Sequence, residues 1–472
     1  MTKNKFYALN YCLFFCLVSL TSIFFSWSRL PTISPDSLGY LNFNPIRPSF
    51  YPIFLDILGI ITKNKNFLIF AQVLIYISSF SYLIFIIHTY IKRNFLTFFV
   101  GILVSANFYM HSFHTTILTE SVTFSVINIY ICCLIKLFHY EEYSKVRNNI
   151  VFLGLLSGSL IGLKPAMITF IPCGFIVITV LALQKRKYLL KYWLHFFWSV
   201  SMILVIENVT YKSYHEERRS VSELILLGKT AILTTDEAFI YPENLNDEEK
   251  IILEHIDNFF DPYQKWLDTN PNPYVIRVLN SELEVLGQLS ILKILNDRFA
   301  IPTPEKDIVM KIGKASLLTN THSFFFHGIT NYFEFWMVNS LSYALHFQDA
   351  KMPKFVDNDL NKTIPIKDLA SINFSSAVFL IFFISLGILS NIIFLFFTIL
   401  FLLDILKKRA FKKDKAFILL FLLIALSNIL FVSFVNTPLT RYLMPNFAML
   451  IIANVMFLDK LWLTIKKRLF DS

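Results

Sequence analysis

Charge is what this chain of 472 residues has least of: Asp, Glu, Lys and Arg make up only 16% of it. A soluble domain of that length needs far more polar surface to cover its core. Cysteine is sparse too. Cys12, Cys16, Cys132, Cys133 and Cys173 all fall in apolar runs. That placement argues against a disulfide framework or a zinc site and for free, buried thiols. No internal repeat is visible, so the inverted-repeat pattern of many transporters is missing. No small-x-small cleavage site follows the N-terminal apolar run, where "SWSRLPTISPD" stands instead. The run behind Lys3 and Lys5 therefore reads as a retained first membrane helix.

What the chain has in quantity is apolar surface: 55% hydrophobic residues and 51 Phe, with a mean hydropathy of +0.56. The expected fold class is an all-α polytopic membrane protein. A spanning helix needs about 20 mostly apolar residues. Ten stretches qualify as candidates: 6–27, 67–91, 94–110, 117–138, 149–163, 165–184, 192–210, 377–406, 416–435 and 443–461. With ten helices, six basic clusters fall on one side: Lys3/Lys5, Lys92/Arg93, Lys145/Arg147, Lys185/Arg186/Lys187, the run from Lys407 to Lys415, and Lys466/Lys467/Arg468. The positive-inside rule then makes that side, and both termini, cytoplasmic.

The other side receives two long segments, a first outer loop at 28–66 and a polar block at 212–376. The block holds 23 of the 33 acids and 16 of the 43 bases, a net charge of about −7 that leaves about +17 elsewhere. The overall +10 is thus topological bias and membrane-surface attraction, and no nucleic-acid partner is expected. The organisation reads as an N-terminal transmembrane module at 1–211, a mostly helical extracytoplasmic domain at 212–376, and C-terminal membrane helices at 377–472. Within the domain, "NDEEKIILEHIDNFFDPYQKWLD" has helical spacing, with Asn246 or Asp247 as N-cap, and "SELEVLGQLSILKILNDRFA" repeats that spacing. The apolar stretch 324–347 carries His327, Asn331, Glu334 and Asn339 and is expected to lie as a helix in the outer interface.

Four polar places share the outer side. The first is "SPDSLGYLNFNPIRPSFYPIFL", with Asp36, Tyr40, Arg47 and Tyr51. A carboxylate at a membrane interface suits a general base; Asp36 also reads as a helix cap before "SLGYL". The second is "HSFHTTILTES", where Glu120 opens a spanning helix and gains from its dipole, while His111 and His114 stand at a spacing that two metal ligands could use. The third is "GLLSGSLIGLKPAMITFIP". Gly154, Gly158 and Gly162 make a small face for close packing, and Lys164 follows against the positive-inside trend. The fourth is "NTPLTRYLMPN", with Arg441, whose fork fits a phosphate, and Tyr442. Carboxylates and cations on one membrane face suit a phosphorylated lipid whose head group must leave.

In their order and shared sidedness, these motifs resemble the integral-membrane GT-C glycosyltransferases, including bacterial relatives of protein O-mannosyltransferases and aminoarabinose transferases. The resemblance covers about 1–210 and 375–465. It rests on "SPDSLGY" and "RPSFYPIFL", on "LTES" opening a helix, on the Gly-rich helix ending in Lys164-Pro165, and on "TRYLMPNFAMLIIA". It implies a sugar donor on a polyprenyl phosphate in the outer leaflet of a bacterial plasma membrane. The acceptor would be a lipid, polysaccharide or protein of the envelope. Asp36 would be the general base of an inverting displacement. Glu120 would orient donor or acceptor, and Lys164 and Arg441 would hold the lipid phosphate. Tyr40, Arg47, His111, His114 and Tyr442 complete the expected substrate contacts. Many relatives carry a second acid beside the loop Asp, where this chain has Ser37; no metal site is assigned, and a divalent cation remains compatible with the resemblance alone. Two other readings fit a polytopic chain with outer polar loops: an O-antigen-type polymerase or ligase, and a lipid-linked sugar transporter or flippase. A transporter calls for polar groups at mid-membrane depth.

Overall fold

In hydrocarbon, every backbone N–H and C=O must find its partner within the chain, so long apolar runs become helices. The computed structural model describes residues 3–25, 35–185, 188–215, 222–236, 238–269, 291–302, 304–336, 374–407, 413–436 and 440–470. Among them there are helices and no β-strand. In chain order these are α1 (Lys3–Phe25), α2 (Pro35–Leu41), α3 (Phe50–Ile61), α4 (Lys65–Ile86), α5 (Asn94–Ser105), α6 (Phe108–Ser112), α7 (Thr119–His139), α8 (Tyr143–Leu163), α9 (Phe170–Lys185), α10 (Leu189–Lys212), α11 (Ser222–Leu233), α12 (Asp247–Thr269), α13 (Ile291–Phe299), α14 (Lys306–Thr319), α15 (Thr321–Glu334), α16 (Phe374–Leu406), α17 (Lys413–Val435), α18 (Thr440–Leu443) and α19 (Phe447–Phe470). Several sequence readings fall outside the described residues: the start of the first outer loop, Arg186 and Lys187, the "SELEVLGQLS" half of its segment, and Asn339.

Nine helices among the described residues are long and apolar enough to cross a membrane. The protein is a polytopic, all-α membrane protein. The count differs from ten at 94–110. There α5 is only 12 residues long, about 18 Å against a hydrocarbon core of about 30 Å. It stops where Asn107 turns its side chain to accept from the Met110 N–H, capping the short α6. Arg93 pairs with Asp459 at the middle of α19, and Asn107 meets Met444 just before its start, so this short segment lies alongside the first half of α19.

The chain divides into two units, the first of residues 1–218, 386–428 and 441–472, the second of 219–385 and 429–440. Within the first, contacts sort the helix ends into two layers. In one, Tyr90 meets Tyr140, the Tyr143 ring tilts against that of Tyr188, and Phe138 packs on Phe417. Lys92, Arg93, Lys145 and Lys415 neighbour these contacts in sequence, so these described basic positions gather at one end. In the other layer, Asp36 meets Arg441, Glu120 meets Lys164, and Asn428 reaches the Ala166 carbonyl. The small face of α8 packs as its spacing requires. A Cβ on Gly154 would lie 2.7 Å from the Phe196 carbonyl oxygen of α10, and one on Gly158 would lie 2.8 Å from Ile203.

The second unit has a core of its own, with Leu227, Ile252, Ile256, Phe260, Leu295 and Ile312 at its centre. Asn246 is the cap of α12. Its Oδ1 accepts from the Glu249 N–H at 2.8 Å, and Glu249 Oε2 accepts from the Asn246 N–H at 2.9 Å. This reciprocal pair satisfies two donors that a helix start leaves open.

Candidate functional site

Asp36 lies in the first turn of α2, where a carboxylate is favoured by the helix dipole. Its two oxygens are divided between two arginines. Arg47 Nη2 donates to Oδ1 at 2.6 Å and Arg441 Nη1 to Oδ2 at 2.6 Å. Gly39 leaves the space that Arg47 fills, since a Cβ there would stand 3.0 Å from Arg47 Nε. The guanidinium carbon of Arg47 sits 4.7 Å from the centre of the Tyr40 ring, a cation–π contact. Tyr40 in turn meets Tyr51 edge-on at 5.1 Å.

A second pair lies deeper. Lys164 Nζ, at the extended break between α8 and Pro165, donates to Glu120 Oε1 at 2.9 Å. The side chains of Lys164 and Glu120 are 9% and 3% exposed, whereas that of Asp36 is 29% exposed. Tyr442 joins the two tiers. Lys164 Nζ is 4.2 Å from its ring centre and the Arg441 guanidinium carbon 5.2 Å. Arg441 Nε is buried and has no hydrogen-bond partner among the described residues. The array thus holds three cations against two carboxylates and carries one positive charge in excess.

Electrostatics set the protonation states. Burial alone would raise the Asp36 carboxyl, but the charges of Arg441 and Arg47 outweigh it and bring it down to about 2. Burial pushes the Tyr40 phenol up to about 12, so it stays a neutral hydroxyl.

Seven of the nine expected site residues come together: Asp36, Tyr40, Arg47, Glu120, Lys164, Arg441 and Tyr442. His111 and His114 do not join them. Both are fully buried and flank the Tyr76 ring. His111 Nε2 lies 2.8 Å from the Ser105 carbonyl oxygen, and His114 Nδ1 2.8 Å from Ser121 Oγ. Burial lowers both imidazoles, that of His111 to about 4, so they are neutral. Among the described residues no three His, Cys, Asp or Glu side chains cluster as metal ligands.

Sequence reading missed the clamp that holds the loop in place. Glu207, the single acid in the apolar run of α10, accepts the Ser49 N–H at 3.1 Å. Tyr211 donates to the Pro45 carbonyl at 2.7 Å, and His215 Nε2 lies 2.7 Å from the Phe43 carbonyl oxygen. An acid inside a membrane-length apolar run was the available signal. Tyr51 is tied behind the site as well. It bonds Gln72, whose Nε2 donates to the Thr116 carbonyl at 3.2 Å.

No family model, no curated protein and no solved structure matches this chain. Its class comes from its own architecture, which is consistent with the GT-C superfamily and with other polytopic helical proteins alike.

Proposed function

We propose that the protein is a glycosyltransferase of the GT-C type, moving a sugar from a polyprenyl-phosphate donor to an envelope acceptor at the outer face of a bacterial plasma membrane. The observation that carries this reading is the single connected array Arg47–Asp36–Arg441–Tyr442–Lys164–Glu120, at the end of the first unit opposite the basic clusters. Positive-inside bias makes the basic end and both termini cytoplasmic, and the array extracytoplasmic. A phosphate bears the charge that an array with one surplus cation accommodates. Arg441, with its unpartnered Nε, and Lys164 are the groups to hold it.

In the reaction, an acceptor hydroxyl oxygen bonds to the anomeric carbon. The bond from that carbon to the phosphate oxygen breaks, and its electron pair leaves with the polyprenyl phosphate. The hydroxyl proton passes to Asp36. Held near 2 by its arginines, Asp36 is a weak base in the arrangement seen. A phosphate that draws Arg441 and Arg47 toward itself removes that restraint, and the basicity of Asp36 rises when the donor is in place. Glu120 holds Lys164 in position and balances its buried charge.

The test compares lipid-linked sugars and envelope glycans, by mass spectrometry, in cells with the wild-type protein, with none, and with Asp36→Asn. Transfer product disappears from both defective strains, and the phosphate-linked sugar accumulates. Unchanged glycans in the Asp36→Asn strain, beside altered glycans in the strain without the protein, would remove Asp36 as the base.

A further inference from the structure

The helix α15 is inside out. Its buried positions are Gly328, Asn331 and Glu334. Its exposed ones are Thr321 and His322 at its start and then Phe325, Phe326, Ile329 and Phe333, with Phe326 68% and Phe333 59% exposed. The four apolar ones fall on one helical face. A helix bordered by water on its open side shows the reverse pattern. In the same unit α12 does so, with Glu248, Lys250, Glu254 and Asn258 exposed.

The protein-facing side of α15 is specified by contacts to the end of a membrane span. Asn331 Nδ2 donates to the Ser433 carbonyl at 3.2 Å. Phe324 packs on the Phe434 ring at 5.7 Å, and Phe325, at the border of the two faces, reaches it at 5.5 Å. Gly328 permits the approach, because a Cβ there would stand 2.4 Å from that ring. Ser433 and Phe434 lie in the last turn of the span Lys415–Val435. One turn earlier on that span, Leu430 is exposed, so the apolar surface of the span runs on into that of α15. At 14 residues, α15 is about 21 Å long, too short to cross a core of about 30 Å.

We propose that α15 is a membrane-immersed helix that does not span, with Phe325, Phe326, Ile329 and Phe333 among the lipid acyl chains beside the end of α17. The second unit thereby has a lipid contact of its own. Asn331 is satisfied on the protein side, where hydrocarbon offers it nothing. The burial pattern differs from that of a helix floating on the interface, whose polar face looks to water. This assignment goes beyond the transfer reaction and stands independently of it.

The test places one spin label at a time in the full-length protein in phosphatidylethanolamine/phosphatidylglycerol nanodiscs. Cys16, the one native cysteine that is not buried, is replaced by Ser in every variant. Labels at Phe326→Cys and Phe333→Cys are compared with Asn258→Cys as the water reference and Leu402→Cys, on a candidate span, as the lipid reference. Ile329→Cys substitutes for either helix variant that fails to fold. The ratio of oxygen to nickel-chelate collisions at the α15 sites is expected to match Leu402 and to exceed Asn258. A ratio like that of Asn258 at either site overturns the proposal, because the face is then in water. Exclusion of both reagents overturns it too, because protein, such as a second copy of the chain, then covers the face.

Discussion

Asp36 and Glu120 are two carboxylates held in different ways. Asp36 is part-exposed between two arginines, and its lowered carboxyl stabilises the fold above the ordinary aspartate range. That contribution is lost as pH falls from about 4, where an unfolded aspartate titrates, to about 2. At neutral pH, Asp36→Asn is expected to unfold at a lower temperature than the wild type. The gap between the two melting temperatures should close as pH is lowered through that window; a gap constant from pH 7 to pH 2 would contradict the pairing. Glu120 is buried against Lys164. Removing one partner of a buried pair strands the other charge and costs about 3–5 kcal/mol, whereas removing both costs less. In a denaturation series, Glu120→Gln and Lys164→Met should each destabilise by that order, and the double variant should recover part of the loss. Additive losses would mean the two groups do not depend on each other.

At the scale of elements, α8 and α10 touch because α8 presents glycine where α10 presents backbone. The Cβ of Gly154→Ala would meet a carbonyl oxygen at 2.7 Å, and α10 must move to admit it. The expected loss is about 1–3 kcal/mol, as for other overpacked contacts. Gly59 on α3 is the control. Nothing lies within 4 Å of a Cβ there, so Gly59→Ala should hold stability or raise it by about 0.5–1 kcal/mol through helix propensity alone. Thermal unfolding of the two variants in one detergent decides between packing and propensity. The α8 stripe was legible in the sequence because Gly154, Gly158 and Gly162 share a face. The partner helix was not, since nothing local in α10 marks Phe196 and Ile203 as the residues opposite. The end of α5 was misplaced for a similar reason. The hydropathy of 94–110 runs through Ala106 without a break, and only the turn of Asn107 onto Met110 shows where the helix stops.

For the whole molecule, the arrangement of ends makes a topological prediction. Asn44 is exposed in the loop beside the charged array, and Lys145 is exposed at the basic end. With Cys16 replaced by Ser, an impermeant maleimide added to intact cells should label Asn44→Cys at once. Lys145→Cys should react only after the membrane is opened. The opposite pattern would invert the protein and move the array to the cytoplasm. This prediction rests on loop charge, which acts during insertion and is readable along the chain.

The sequence alone determined the class of the protein and the approximate position of most spans. These follow from transfer of apolar runs into hydrocarbon, which is a local property. Tertiary structure decided which polar residues meet. Asp36 and Arg441 are 405 positions apart and share a hydrogen bond of 2.6 Å; His111 and His114, close in sequence to Glu120, are packed away from the array. It also decided the inverted face of α15, because Asn331 and Gly328 turn inward only once Ser433 and Phe434 are there to receive that side of the helix. Pairing across such separations depends on how the helices pack, and packing is set by surfaces from distant parts of the chain.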